Sequence, residues 1–248
     1  YAVANATQRL LFMMALAANL LGLFAAAYEI IKERAIYRRE RMINLQILPY
    51  LLSKIAVLAV FAALQVLFFL IVLGFKLEYP DQGVFLPPLL EMYVTLFLAT
   101  LASIAMGLFI SAAAKNRDTV IYVILIVIFI QIIFAGAIFD LPSAARPISY
   151  LTSSRWTLEA LGSTVDMEAL NEEGVTCVTF EEQQMQRMLG DPDAPCEEGQ
   201  MQQAAAVSFN VTYRAETDAL LGRWLVLVLF GLLFGAGTFW LQQRKDVL

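Results

Sequence analysis

Five stretches of this chain are apolar over the length a helix needs to cross a hydrocarbon core: Leu10 to Ala27, Ile47 to Phe75, Leu89 to Ala114, Thr119 to Phe139 and Leu220 to Leu241. A span takes about 20 residues. Signal peptides and short soluble cores do not supply runs of this length five times over. Composition agrees, with 60% hydrophobic and 16% charged residues, well above the apolar share of an ordinary soluble domain. The fold class expected is an all-α polytopic membrane protein.

The charges are segregated, so the net charge of −5 hides the pattern. The linker from Glu29 to Gln46 holds Lys32, Arg34, Arg38, Arg39 and Arg41 against Glu29, Glu33 and Glu40. The link Lys115-Asn116-Arg117-Asp118 and the tail Arg244-Lys245-Asp246 are also basic. In contrast, residues 140–218 carry 14 acidic side chains and four Arg. Lys and Arg collect in cytoplasmic loops, which places the linker, the short link and the C-terminus inside and the acidic segment outside. That alternation puts Tyr1 outside, so at least one further span is expected upstream, with the true N-terminus in the cytoplasm.

Both cysteines, Cys177 and Cys196, fall in the acidic segment. Two Cys in one extracytoplasmic loop read as a disulfide, worth roughly 3 kcal/mol for a loop of about 20 residues; two unrelated thiols are the alternative. No His occurs in the chain, so neither zinc ligation nor a His-dependent catalytic scheme has the residues it needs. G-x-x-x-x-G-K-[ST], H-E-x-x-H and G-x-S-x-G are absent. No catalytic residue is assigned.

The linker itself spaces Ile30, Ile31, Ala35, Ile36, Tyr37, Met42 and Ile43 between charges, which suits an amphipathic helix on the inner membrane surface. Span interiors are nearly free of charge, because Lys54, Glu91 and Arg223 sit near span ends. That disfavours an ion-coupled carrier, which needs charge at membrane depth. Asn19, Gln65, Thr100, Ser103, Ser111 and Gln131 are the polar exceptions. Hydrogen bonding between helices explains each of them; the functional alternative is the wall of a cavity for an amphipathic substrate. Asn19 and Gln131 are the leading candidates, being isolated in apolar spans.

The stretch "KERAIYRRERMINLQILPYLLSK" resembles the region between the second and third helices of ABC-transporter permeases of the G-subfamily, White-like type, an ABC-2 type membrane domain. Glu33 and Glu40 keep that family's seven-residue spacing of acids, followed by Tyr50 and Lys54. A second match is "FAGAIFDLPSAARPISYLTSSRWTLEALGS", which is similar to the family's turn after helix five and its R-[YW]-x-x-E-A-L segment, here Arg155, Trp156, Glu159, Ala160 and Leu161. The likeness covers nearly the whole chain and lacks the first helix and the nucleotide-binding domain.

The resemblance implies a transmembrane domain over residues 1–248, with spans at about 10–28, 47–75, 89–114, 119–139 and 220–241, five of an expected six. It implies a coupling helix over 29–46 and an external region over 140–219. Glu33, Arg34, Tyr37, Arg38, Arg39, Glu40 and Arg41 would dock on a nucleotide-binding domain. That domain, in the same polypeptide or a separate subunit, would hold ATP and Mg and hydrolyse the nucleotide. Asn19, Leu20, Phe24, Phe129, Gln131 and Ile132 are approximate matches to a substrate cavity at a dimer interface, and Ala137 and Ile138 to the hydrophobic plug beyond it. Ala137 is smaller than the Leu usual there. The function expected is the permease part of an ATP-driven exporter or translocator of lipid-like substrates, working as a homodimer or pseudo-symmetric heterodimer. A non-transporting membrane scaffold or accessory subunit is the alternative.

Overall fold

In the computed structural model of the protein the apolar runs are helices: α1 (Ala2–Ala26), α3 (Ile47–Gly74), α4 (Pro88–Ala113), α5 (Arg117–Phe134) and α9 (Thr217–Asp246). Each contains a stretch long and apolar enough to cross a membrane. Between them lie the charged α2 (Glu29–Arg41) and the short α6 (Arg146–Ser149), α7 (Ser153–Thr164) and α8 (Met167–Glu173). The structure describes residues 2–41, 43, 46–76, 79–80, 82–137, 146–173 and 211–246; among these there is no strand. Cys177, Cys196 and Ile138 lie outside the described residues.

α4 is the centre of the bundle, packed by α1 and α9 and also by α3 and α7. Its sequence explains the position. Ala99, Ala102, Ser103, Ala105 and Gly107 leave little side chain between its axis and its neighbours, and small residues are what allow helix backbones to meet in lipid. A Cβ at Gly22 of α1 would stand 2.3 Å from the Thr100 carbonyl oxygen of α4. One at Gly107 would stand 2.7 Å from the Leu23 carbonyl oxygen. Glycine at both crossing points therefore sets how closely α1 and α4 approach.

The outer helices show the opposite pattern. α3 exposes Phe61, Phe68 and Val72, α5 exposes Tyr122, Ile126 and Phe129, and α9 exposes Leu225, Leu232 and Leu233. Lipid tails are as apolar as these side chains, so such faces need no protein cover.

Two connections are fixed by local chemistry. Glu91, fully buried in the first turn of α4, accepts hydrogen bonds from the backbone N–H groups of Val84 (3.1 Å), Phe85 (2.8 Å) and Leu86 (2.8 Å). It thereby folds the preceding loop over its own helix start. At the other connection α5 stops at Phe134, short of the end of its apolar run at Phe139, and Gly136 adopts φ 77°. A left-handed glycine just past the last turn terminates a helix whatever the hydropathy of the residues that follow.

Candidate functional site

α2 begins after a two-residue turn, Ala27–Tyr28, at the end of α1. Its first turn carries Glu29, the charge favoured at a helix N-terminus. The N–H groups of Ile30 and Ile31, which have no partner within the helix, both donate to Ser111 Oγ of α4 at 3.1 Å. In return Arg34 donates from Nη1 to the Lys115 carbonyl (3.0 Å) and from Nη2 to the Ala114 carbonyl (3.0 Å), just past the end of α4. Each helix thus caps the other.

A second set of bonds ties α2 to α3. Lys54 Nζ donates to Glu33 Oε1 (2.6 Å) and Glu29 Oε2 (3.3 Å), and the Tyr50 hydroxyl donates to Glu33 Oε2 (3.3 Å). The Tyr37 and Tyr50 rings pack with centroids 5.0 Å apart. Of the seven residues assigned to coupling, Glu33, Arg34 and Tyr37 face the spans through these contacts. Arg39 and Glu40 are exposed, and the side chains of Arg38 and Arg41 lie outside the described residues.

Deeper in the bundle the two isolated amides meet through serine. Asn19 Oδ1 of α1 accepts from Ser103 Oγ of α4 (2.6 Å) and from Ser153 Oγ of α7 (2.7 Å). Gln131 Nε2 of α5 donates to Ser153 Oγ (2.9 Å), and Gln131 Oε1 accepts from the Ser154 N–H (2.9 Å). Asn19 Nδ2 closes the set on the Ala15 carbonyl at 2.7 Å. Four helices share this junction, and both amides are buried. The other residues matched to the cavity lie nearer the surface: Phe24 is 53% and Phe129 62% exposed, with Leu20 and Ile132 half-buried. Ala137 packs against the core cluster that contains Leu11, Leu158 and Tyr213.

A third cluster surrounds Glu159. Arg155 Nε donates to Glu159 Oε1 (2.9 Å) one helical turn away, and Arg223 Nε of α9 lies 3.6 Å from Glu159 Oε2. The guanidinium of Arg155 also reaches Ser149 Oγ and stacks 4.0 Å from the Tyr150 ring centroid. That of Arg223 reaches Ser163 Oγ and donates to the carbonyls of Thr212 (2.8 Å) and Arg214 (3.2 Å). Tyr213 closes over this cluster and accepts a hydrogen bond from Gln8 Nε2 at 3.1 Å. Burial pushes its phenol above the ordinary range. A Cβ at Gly162 would come within 2.1 Å of the Tyr213 ring; only glycine admits this contact.

Sequence reasoning pointed to Arg155 and Glu159 through the R-[YW]-x-x-E-A-L resemblance but not to their ion pair or to Arg223, whose partner lies on another element. It noted Ser111 without a partner, and nothing marked Ser153 or Ser154 within a polar run.

Five apolar helices around a small-residue core, with polar ties buried between them, define a multi-pass helical membrane protein. Residues 2–165 match the model of the ABC-2 type transporter family. The chain belongs to that family. It is also 28% identical over 169 residues, 66% of its length, to an ABC transporter ATP-binding/permease protein of Mycobacterium tuberculosis. It spans 19% of that relative's length.

Proposed function

We propose that this chain is the membrane-spanning permease part of an ATP-driven ABC exporter or translocator of lipid-like, amphipathic substrates, and that it works as a dimer. Membership of the ABC-2 family supports a transporter membrane component. The observation that carries the mechanism is the bonding of α2: its Arg34 and its first N–H groups grip α4, and its acids grip Lys54 of α3. A helix held this way delivers an applied push to the spans instead of turning on its own.

In this reading α2 is the coupling helix. Its exposed side, with Arg39 and Glu40, meets a nucleotide-binding domain that carries ATP and Mg, while Glu33, Arg34 and Tyr37 pass the displacement on. The basic segments and the C-terminus lie in the cytoplasm. The acidic segment lies outside, with Cys177 and Cys196 joined as a disulfide. Substrate meets the exposed Phe24 and Phe129, with Leu20 and Ile132 behind them and with Ala137 and Ile138 as the plug beyond. Asn19 and Gln131 stand behind that wall and hold its helices in register. Closure of the nucleotide-binding domains favours the outward-open arrangement through contacts that differ between the two states.

The test is substrate-stimulated ATPase of the full-length protein in proteoliposomes. Reversing Arg38 and Arg39 to Glu is expected to abolish stimulation while membrane insertion stays at the wild-type level. Stimulation that survives the reversal removes the coupling role, and a protein without any substrate-stimulated ATPase is a scaffold.

A further inference from the structure

The turn that receives the Arg34 caps also forms one end of a groove. A cavity of about 310 Å³ opens between α4 and α5, lined by Phe109, Ile110, Ala113, Ala114, Lys115, Thr119 and Val123. This volume lies at the lower end of the range for small-molecule sites, about 300–1,000 Å³. Its walls are apolar along the two helices, and its polar groups, Lys115 and Thr119, come from the turn and the first residues of α5.

We propose that the groove holds one acyl chain of an anionic phospholipid, with the lipid phosphate at Lys115. Two observations favour this occupant over an uncharged lipid. The turn is basic: Lys115 and Arg117 are both exposed, against Asp118 alone. The guanidinium of Arg34, already 3.0 Å from the Lys115 carbonyl, brings a third cation to the same turn. Basic pockets between transmembrane helices are where anionic headgroups bind.

The placement gives the lipid a consequence. Ile110 and Ala114, which line the groove, also pack in one cluster with Ala27 and Ile31 at the root of α2. A chain seated there fills the space under the α2–α4 caps and braces the hairpin that α2 moves. Binding itself is independent of whether the protein transports.

Native mass spectrometry of the full-length protein, taken from phosphatidylcholine nanodiscs with graded phosphatidylglycerol, counts the retained lipid. The wild type is expected to keep one phosphatidylglycerol per chain in preference to phosphatidylcholine. Lys115→Gln, which preserves the groove, is expected to weaken that retention about fivefold, the effect of one cation near an anionic headgroup. Ala113→Trp, at an exposed position on the groove wall, is expected to remove it, with wild-type thermal stability as the folding control. Equal retention of the two lipids overturns the proposal. So does phosphatidylglycerol retention that Lys115→Gln leaves unchanged, a result that stands whether or not the tryptophan variant folds.

Discussion

Two ion clusters among the described residues differ in their balance of charge. Around Glu159 two arginines flank one acid; around Lys54 two acids flank one amine, and Lys32 brings a second amine to Glu29. Their surroundings differ. The side chains of Arg155, Glu159 and Arg223 are 5–7% exposed, whereas those of Lys54, Glu29 and Glu33 are 20–30% exposed. Burial makes the first cluster costly to break, because an ion that loses its partner has no water to turn to. The second sits where water and salt can take over from a lost partner, so its bonds are individually weak. The contrast assigns a permanent clasp to the α7–α9 end and an adjustable joint to α2.

Breaking the buried clasp is the largest effect expected. Glu159→Gln leaves the guanidinium groups of Arg155 and Arg223 buried without their countercharge, which costs about 3–5 kcal/mol. Thermal unfolding in detergent should show a large loss of stability. A Tm within a degree or two of wild type would mean that the hydrogen bonds to Ser149, Ser163 and the 212–214 backbone hold the arginines by themselves, and the contrast between the clusters would collapse.

The cover over the clasp tests the same idea without touching a charge. Gly162→Ala drives a methyl into the Tyr213 ring, and overpacking of this kind costs about 1–3 kcal/mol. The ring and the Thr212 and Arg214 carbonyls that hold Arg223 belong to one short segment, so displacement of Tyr213 should let water reach the cluster. Faster hydrogen exchange over residues 211–216 in Gly162→Ala is the expected sign. Unchanged exchange there would show that Tyr213 is not the seal.

How much of this was legible follows from where each signal lies. The five spans were, because length and hydropathy are local properties of a run. Arg155 and Glu159 stood out through the R-[YW]-x-x-E-A-L resemblance, but their pairing, at a spacing that places both on one helix face, came with the structure. What hydropathy could not give is which face of an apolar helix is inside. α3 and α4 are both predominantly apolar, yet α4 is central and α3 peripheral. The difference rests on small residues such as Ala99, Ser103 and Gly107, and on a partner helix, α1, that offers Gly22 at the crossing. The amide junction was half legible. Asn19 and Gln131 stood out in their spans, but that Ser153 bridges them depends on α7 folding back against α1, α4 and α5. The end of α5 was missed because the apolar run continues past Gly136, and conformation overrides hydropathy there.

The smallest expected effect on stability is at the α2 joint, and it is the one that separates a joint from a clasp. Lys54→Met keeps the length and apolar stem of the side chain while removing the amine that bridges Glu29 and Glu33. Pairs open to water in part are worth about 1 kcal/mol or less each, and Tyr50 still reaches Glu33, so Tm should fall by only a few degrees. α2 also keeps its grip on α4, because the Arg34 and Ser111 bonds do not involve Lys54. What changes is the direction in which α2 is braced: it stays fixed to the α4–α5 hairpin, while its hold on α3 loosens to the contacts of Tyr50 with Glu33 and Tyr37. If α2 couples as proposed, substrate-stimulated ATPase of the full-length protein should therefore drop while basal ATPase and folding persist, and Lys54→Arg, which restores a donor to both acids, should recover most of it. A stability loss as large as that of Glu159→Gln would make α2 a second clasp, fixed rather than adjustable, and it would then have no movement to transmit.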